Sequence, residues 1–471
     1  MKEPEKTHEN RETQVKMIKK PGHDMRDKII GGPIAKTLFA LAWPVMVGNT
    51  MQVFYNLADT FWLGKLGPEA VAALSVGFPL VFLLISIGGG LTVAGTTLVA
   101  QYTGADDEES TNLVTGQVFI FVIFLAIIFS IIGFIYNKNI LQLMGVPAEI
   151  LGDAVAYLNI IFAGLPFMFS FFIFSALLRG YGDTKTPMQM MIWSTLLNIV
   201  LDPFLIFGWG FFPQLGVSGA AFATIFSRAL AGIAGIYILI KGEKGISLSK
   251  ETLKPDFVMI KKIIKIGLPS AGEQSIMALG MTVLISIVSQ FGTMAVAAYG
   301  IGSRILSIVM MPSHGFGMAT TTMVGQNLGA RQENRAEKSA WISSGIIFGA
   351  LLLFGIIINI IPEYVISIFN SDPEVITIGV SFLRIVGISF GFLGVRIIIG
   401  GSFRGAGNTV IAMILAIIAL WGLRVPLAQY LAVNLDWGPN GIWWAFFFSN
   451  LISAIIGVLW FKKGTWKEAV N

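Results

Sequence analysis

Long apolar runs constrain this chain more than any other feature. Twelve of them follow one another, and each exceeds the roughly 20 residues that a helix needs to cross the hydrocarbon core of a bilayer. Only 13% of the residues are charged, about half the fraction in a soluble domain. The runs lie near 34–62, 69–100, 113–136, 148–178, 187–210, 216–240, 260–289, 295–325, 339–361, 374–401, 409–433 and 440–461. The sequence therefore predicts an all-α integral membrane protein with twelve transmembrane helices.

The basic residues give these helices an orientation. Of the 32 Lys and Arg residues, only Lys65 and Lys138 fall in the connections of one side, and five lie within or at the ends of the runs. All the others lie in the terminal segments and in the connections of the other side. Because Lys and Arg accumulate on the cytoplasmic side, we predict a plasma-membrane protein with both termini in the cytoplasm. Basic residues confined to loops do not indicate a nucleic-acid partner.

Polar segments divide the chain into two lobes. The first 30 residues lack the apolar core and small-residue cleavage site that are typical of a signal peptide, so we expect them to be a polar tail with an amphipathic start near Met25–Ile30. We expect a monomer. The predicted segments are the tail 1–30, an N-lobe 31–240, an inter-lobe loop 241–259, a C-lobe 260–461 and a second tail 462–471.

The two halves repeat each other at a constant offset, including at polar positions. Near the end of each half the offset falls from 225 to 222 residues. Since each half holds six runs, both halves enter the membrane in the same sense, which is a parallel repeat. Such repeats place a substrate site between the lobes and work by alternating access. The recurring segments are Ala70–Ala73 with Ala295–Ala298, Thr97…Gln101…Gly104 with Thr322…Gln326…Gly329, Arg179–Thr184 with Arg404–Thr409, and Gly216…Gly219…Ser227 with Gly438…Gly441…Ser449.

Several motifs together carry a resemblance to a known family. They are Leu41-Ala42-Trp43-Pro44, Tyr55–Gly64, Leu178–Thr184, Asn198–Pro203 and Gly216–Thr224. Over residues 31 to 461 the chain resembles the multidrug and toxic compound extrusion (MATE) family, and Asn198 with Asp202 resembles its archaeal and DinF-like branch. The resemblance implies a secondary active antiporter that exports cationic or amphiphilic organic compounds in exchange for H⁺ or Na⁺.

Other function classes fit the sequence less well. No catalytic constellation and no cysteine occur, so we expect neither an enzyme nor a cofactor. The Gly-rich turns after Arg179 and Arg404 follow no strand and lack a Walker lysine, which argues against nucleotide binding. The alternative is a lipid-linked oligosaccharide flippase of the same superfamily, which is expected to carry a more cationic cavity. A channel is the third class, but the unequal charges of the two halves favour a stepwise carrier.

Two acids inside the first-half runs are the main candidates for the coupling site. Asp59 and Asp202 lie at similar depths in the outer half of their runs, which is the half away from the cytoplasm. A charge at such a depth is costly in lipid. Tyr55 lies four residues before Asp59, as Asn198 lies four before Asp202, so each pair shares a helix face. With Thr224 they can form one small site, where two neighbouring carboxyl groups favour holding a proton.

The same oxygens leave two further interpretations open. Carboxylate, amide, phenol and hydroxyl oxygens suit Na⁺ as well as H⁺, so a sodium site at Asp59, Asp202 and Asn198 is an alternative. Both acids can also be structural packing residues. For Tyr55 and Thr224 a packing role is equally plausible, because Thr and Tyr are common at helix contacts in membranes.

The second half carries a different pair of charges within its runs. Glu273 and Arg396 either form a salt bridge that latches the lobe or contribute a second cation or substrate site. Arg228 and Arg304 lie closer to the inner interface, where snorkelling is one interpretation of both and a role within the span is the other. His314, in an apolar run, is read as a packed histidine and not as a ligand.

Overall fold

The apolar runs form long helices throughout the part of the chain that the computed structural model describes, residues 23–467. Fifteen helices follow one another in these residues. They are α1 His23–Gly31, α2 Ile34–Leu66, α3 Pro68–Gly104, α4 Glu108–Leu143, α5 Ala148–Tyr181, α6 Lys185–Phe207, α7 Val217–Lys241, α8 Phe257–Ser289, α9 Thr293–Gly329, α10 Glu333–Ile360, α11 Pro362–Ser367, α12 Pro373–Gly387, α13 Phe390–Gly405, α14 Thr409–Asn434 and α15 Pro439–Lys462.

The number of membrane spans agrees with the sequence prediction. Eleven helices of the described residues are long and apolar enough to cross a bilayer. Helices α12 and α13 meet the same criterion as a pair, with a bend of 52° at a short break, so the described residues hold eleven spans, or twelve if this pair is one span. The prediction of an all-α membrane protein is confirmed, and the predicted twelve spans fall within the eleven to twelve that the described residues allow.

The predicted N-terminal tail lies only partly within the described residues. Its first 22 residues fall outside them. Helix α1 covers the expected amphipathic start and continues to Gly31, and Ile29 on this helix is fully buried. The last residues of the tail are therefore helical and packed against the bundle.

Both described ends of the chain lie on the same face of the bundle, at the start of α10. Arg335 donates from Nε to the carbonyl of Ile29 over 3.2 Å. Two residues further, Glu337 forms a 2.7 Å ion pair with Lys467. We call this side the terminal face and the other side the opposite face.

Each lobe has its own hydrophobic core. The N-lobe, helices α2–α7, is built around large side chains such as Phe169 and Phe174. The C-lobe, helices α8–α15, is built around Phe382, Phe390 and Trp443. The first part of α2 departs from this division, because Leu38, Leu41 and Ala42 pack into the C-lobe core. This segment crosses from one lobe to the other on the terminal face.

Helix α14 is widened where a proline interrupts its hydrogen bonds. Pro426 has no backbone N–H, and its ring would collide with a carbonyl of the preceding turn. The chain responds with π-helical turns at Ile418–Arg424 and Tyr430–Asn434, on either side of the proline. The first of these turns ends at Arg424, a buried side chain of the C-lobe.

Candidate functional site

The structure brings the five predicted site residues of the N-lobe together. They lie on α2, α6 and α7, in the half of the lobe near the opposite face. Thr224 donates to Asp59 Oδ2 over 3.3 Å, and the Tyr55 hydroxyl donates to the carbonyl of Thr224 over 3.0 Å. Asn198 donates to Asp202 Oδ1 over 3.2 Å. All five side chains are buried. We call this group the acid site.

Three oxygen atoms of the acid site have no hydrogen-bond donor. Asp59 Oδ1, Asn198 Oδ1 and Asp202 Oδ2 are all buried without a partner. A buried acceptor without a donor is costly, and such atoms in a native structure call for an explanation. Asp59 neighbours both Asn198 and Asp202. The three free acceptors therefore belong to one buried group of oxygen atoms, the type of ligand that a small hard cation prefers.

An arginine that sequence reasoning assigned to the interface belongs beside this site. Arg228 lies one helical turn from Thr224 on α7, and only 3% of its surface is exposed. Its guanidinium stacks on the Tyr55 ring at 4.6 Å and hydrogen-bonds to Gln52. The snorkelling interpretation of Arg228 is therefore wrong. The signal that could have found it is its four-residue spacing from Thr224.

Charge balance follows from this arrangement. Arg228 is within electrostatic range of Asp59 and can balance one carboxylate. Two ionised carboxylates would leave one negative charge in a buried site, which a proton or Na⁺ can neutralise. Sequence reasoning also missed Tyr157 on α5, a buried phenol within electrostatic range of both Asp59 and Asp202.

The ion pair of the C-lobe differs from the predicted one. Glu273 on α8 pairs with Arg404, whose Nη1 lies 3.0 and 3.1 Å from the two carboxylate oxygens. The expected salt bridge between Glu273 and Arg396 does not form. The physical reason is that the Arg404 side chain folds back along α13 towards Gly400. The sequence places Arg404 at the Gly-rich turn that ends α13, so its contact with Glu273 depends on this direction of the side chain.

Arg396 lies near the ion pair without a partner of its own. It is 9% exposed, and its Nε is buried with no acceptor. Both Glu273 and Arg404 are within its electrostatic range. His314, expected to be packed, has an exposed side chain halfway along α9. We call Glu273, His314, Arg396 and Arg404, together with Arg424 on α14, the basic cluster.

The lobes are joined on the terminal face by hydrogen bonds that obey the internal repeat. Two threonines and two glutamines are the donors, and backbone carbonyls at the ends of α5 and α13 are the acceptors. The bonds are Thr97 Oγ1 to Arg404 O (2.8 Å), Thr322 Oγ1 to Arg179 O (2.9 Å), Gln101 Nε2 to Gly405 O (3.0 Å) and Gln326 Nε2 to Gly180 O (2.9 Å). We call them the inter-lobe hydrogen bonds. The recurring Thr…Gln…Gly segments thus have a joint role that the sequence alone did not reveal.

Two glycines allow the helices to approach this closely. A Cβ added at Gly104 would lie 2.0 Å from the carbonyl oxygen of Gln326. A Cβ at Gly329 would lie 1.9 Å from the carbonyl oxygen of Gln101. Any side chain at either position would separate α3 from α9, so glycine is required at both.

Helix α1 adds a second connection between the lobes. Arg26 donates to the carbonyls of Thr103 and Gly104 at the end of α3, over 2.8 and 3.1 Å. The carbonyl of Ile29 accepts from Asn327 on α9 over 3.3 Å. The helix therefore links the end of an N-lobe helix to the C-lobe on the terminal face.

Hydrogen bonds between the lobes end near the middle of the bundle. Thr50 and Met311 form the one nearest the opposite face in the described residues, with 3.8 Å between Oγ1 and Sδ. Every other hydrogen bond between the lobes, in the described residues, lies on the terminal side of this pair. Beyond it, Leu57 on α2 and Ile285 on α8 are exposed. In the described residues, the lobes are thus joined by hydrogen bonds towards the terminal face and not towards the opposite face.

Comparison with known proteins gives consistent matches along the chain. The MatE family model matches residues 44–204 and 269–430. The chain is 31% identical to the "Probable multidrug resistance protein YoeA" of Bacillus subtilis over 90% of its length and 92% of that protein. It is 31% identical to the "Probable multidrug resistance protein NorM" of Thermotoga maritima, covering 92% and 94%.

Comparison with solved structures gives the same family as the sequence matches. An outward-facing multidrug resistance MATE family transporter superposes with a TM-score of 0.85 at 27% identity, covering 93% of this chain and 97% of that one.

Proposed function

The chain belongs to the MatE family and is a multi-pass membrane transporter and not an enzyme, and from this premise we propose that it is a secondary active antiporter. In this proposal it exports cationic or amphiphilic organic compounds, as a monomer in the plasma membrane, and H⁺ or Na⁺ enters in exchange. Its relatives' names, multidrug resistance proteins, support multidrug efflux as the coarse function.

The observation that best supports the acid site as the binding site of the coupling ion is its three unpartnered oxygens. A proton on Asp202 or Asp59 would supply a donor to the other carboxyl group. A sodium ion would be bound by all three oxygens, because hard cations prefer oxygen ligands. Either ion neutralises the carboxylate that Arg228 leaves unbalanced. The site lies on the open side of the bundle, where an ion can enter.

Sidedness belongs to the same proposal. The distribution of Lys and Arg assigns the terminal face to the cytoplasm. The structure is then closed to the cytoplasm and open to the exterior. An external cation reaches the acid site in this state. When it binds, it removes the charge that opposes closure, and the lobes can separate on the cytoplasmic side to take up cargo.

A transport assay with imposed gradients tests this proposal. The protein is reconstituted in liposomes, and movement of a fluorescent cationic dye is followed under a proton gradient and a sodium gradient separately. We expect one gradient to drive the dye, and Asp59→Asn and Asp202→Asn each to reduce the rate about 100-fold, as loss of an essential proton-transfer group does. Asp153→Asn is the matched control, since Asp153 is an exposed acid of the same lobe. Full coupled transport by Asp202→Asn would refute the assignment.

One observation favours the second candidate function, a lipid-linked oligosaccharide flippase. The basic cluster holds three arginines and one carboxylate, which suits a pyrophosphate group better than a cation. The same liposomes separate the two functions. Movement of a lipid-linked oligosaccharide across the bilayer, together with no dye movement under either gradient, would replace the antiporter with the flippase.

A further inference from the structure

The basic cluster contains more positive charge than its own residues balance. Arg396 is within electrostatic range of Arg404 and Arg424, and Glu273 is the single carboxylate of the group. The other acids of the C-lobe in the described residues lie at helix ends or in connections. Two of the three guanidinium groups therefore lack an opposite charge. Buried charges are normally paired, because an unpaired one is costly in a medium of low polarity.

The three arginines are not equivalent in their contacts. Arg404 is held by Glu273. Arg424 donates to Ser449 and Asn450 over 3.0 and 2.7 Å, so neutral acceptors satisfy it. Arg396 has neither an ion pair nor a hydrogen bond in the described part of the chain, and its Nε is buried. It is the one arginine of the cluster that is left for an external acceptor.

The cluster reaches the line where the two lobes meet. His314 is exposed and within electrostatic range of both Arg396 and Arg404. On α9 it lies between Met311, which touches Thr50 of the N-lobe, and Gly315, which faces Met46 of the N-lobe. A molecule between the lobes can therefore approach the cluster past His314.

We propose that Arg396 anchors an anion-binding subsite of the C-lobe that takes a carboxylate or phosphate group of the cargo. The planar guanidinium presents several donors and suits both groups. The chain would then bind amphiphiles that carry an anionic group, including zwitterions, through the C-lobe. The coupling cation would bind in the N-lobe. The proposal extends the efflux function, on which it rests, to the chemistry of the cargo.

A pair of dyes that differ in one charge tests the subsite. We would use a rhodamine with a free carboxylate and the ethyl ester of the same dye, and measure binding to the purified full chain in uncharged detergent by fluorescence anisotropy. Arg396→Gln is expected to weaken binding of the carboxylate dye about tenfold, as loss of one charge-assisted contact does. Binding of the ester is expected to change less than about twofold. Arg304→Gln is the matched control, because Arg304 is an exposed arginine of the same lobe.

The outcomes distinguish an anionic group of the cargo from a lipid phosphate, and they include results that overturn the proposal. If a short-chain phosphatidylglycerol displaces the carboxylate dye from wild type but binds Arg396→Gln weakly, the subsite also takes lipid phosphate. If Arg396→Gln does not fold, competition by inorganic phosphate on the wild type serves instead, and phosphate must displace the carboxylate dye and not its ester. An unchanged ratio of the two affinities in folded Arg396→Gln, or equal displacement of both dyes, overturns the proposal. No gradient is used, so failure of ion coupling cannot be mistaken for failure of the subsite.

Discussion

The two lobes share a helix order and differ in the charge that they bury. In the N-lobe, two carboxyl groups face one arginine, and three oxygens lack donors. In the C-lobe, three arginines accompany one carboxylate, and an arginine nitrogen lacks an acceptor. The two lobes therefore have opposite charge imbalances. The N-lobe lacks a positive charge, and the C-lobe lacks negative charge.

The inversion can be followed at individual positions of the repeat. Arg424 stacks on Phe446 at 4.2 Å and hydrogen-bonds to Asn450. These two positions lie 222 residues after Thr224 and Arg228. The N-lobe therefore places its arginine on the last helix of the lobe, whereas the C-lobe places one on the helix before it. The comparison teaches that the two lobes can share a helix order while their side chains bury opposite charges.

The largest expected effect comes from removing the arginine of the acid site. Arg228→Gln leaves a buried carboxylate unbalanced, which costs about 3–5 kcal/mol. We expect a lower melting temperature in detergent and loss of gradient-driven dye transport. The double variant Arg228→Gln/Asp59→Asn removes both charges, so it should regain most of the stability while transport stays lost. Additive losses in the double variant would show that Arg228 does not balance Asp59. Arg384→Gln, at an exposed position, serves as the control.

A smaller effect is expected at the C-lobe ion pair. Glu273→Gln leaves Arg404 without its carboxylate, but their side chains are 17% and 19% exposed, so solvent reduces the cost to about 1–2 kcal/mol. Thermal unfolding measures this loss, and Glu273→Gln/Arg404→Gln should recover part of it. Transport by Glu273→Gln should keep its dependence on the driving gradient. Loss of that dependence would place ion coupling in the C-lobe. It would contradict the assignment of the coupling ion to the N-lobe.

The smallest effect, about 1 kcal/mol per bond, is expected where the lobes are alike. Gln101→Leu and Gln326→Leu each remove the side-chain donor of repeat-related inter-lobe hydrogen bonds. We expect both variants to increase hydrogen exchange at the ends of α5 and α13 by similar amounts, measured by mass spectrometry. Gln290→Leu, at an exposed helix end, is the control and should leave hydrogen exchange at the ends of both helices unchanged. A strong effect of one glutamine alone would show that closure is asymmetric.

The sequence predicted those features that depend on the chain's path through the membrane. Helix length, the repeat and the depth of Asp59 and Asp202 follow from counting residues along helices, and the five residues of the acid site do meet. Side-chain direction does not follow from counting. Arg404 lies at a helix end, yet its long side chain reaches back to Glu273. Arg228 was misread for the same reason, since the same side chain can extend to the interface or turn inward to stack on Tyr55.

The inter-lobe hydrogen bonds have a consequence for how such a protein can evolve. Their acceptors are peptide carbonyls, which every amino acid supplies, so no substitution at Arg179, Gly180, Arg404 or Gly405 deletes an acceptor. Adjustment of the closed state is therefore left to the donor side chains, which can be lost one at a time. Selection can therefore adjust turnover in small steps, through donor side chains that belong neither to the acid site nor to the basic cluster.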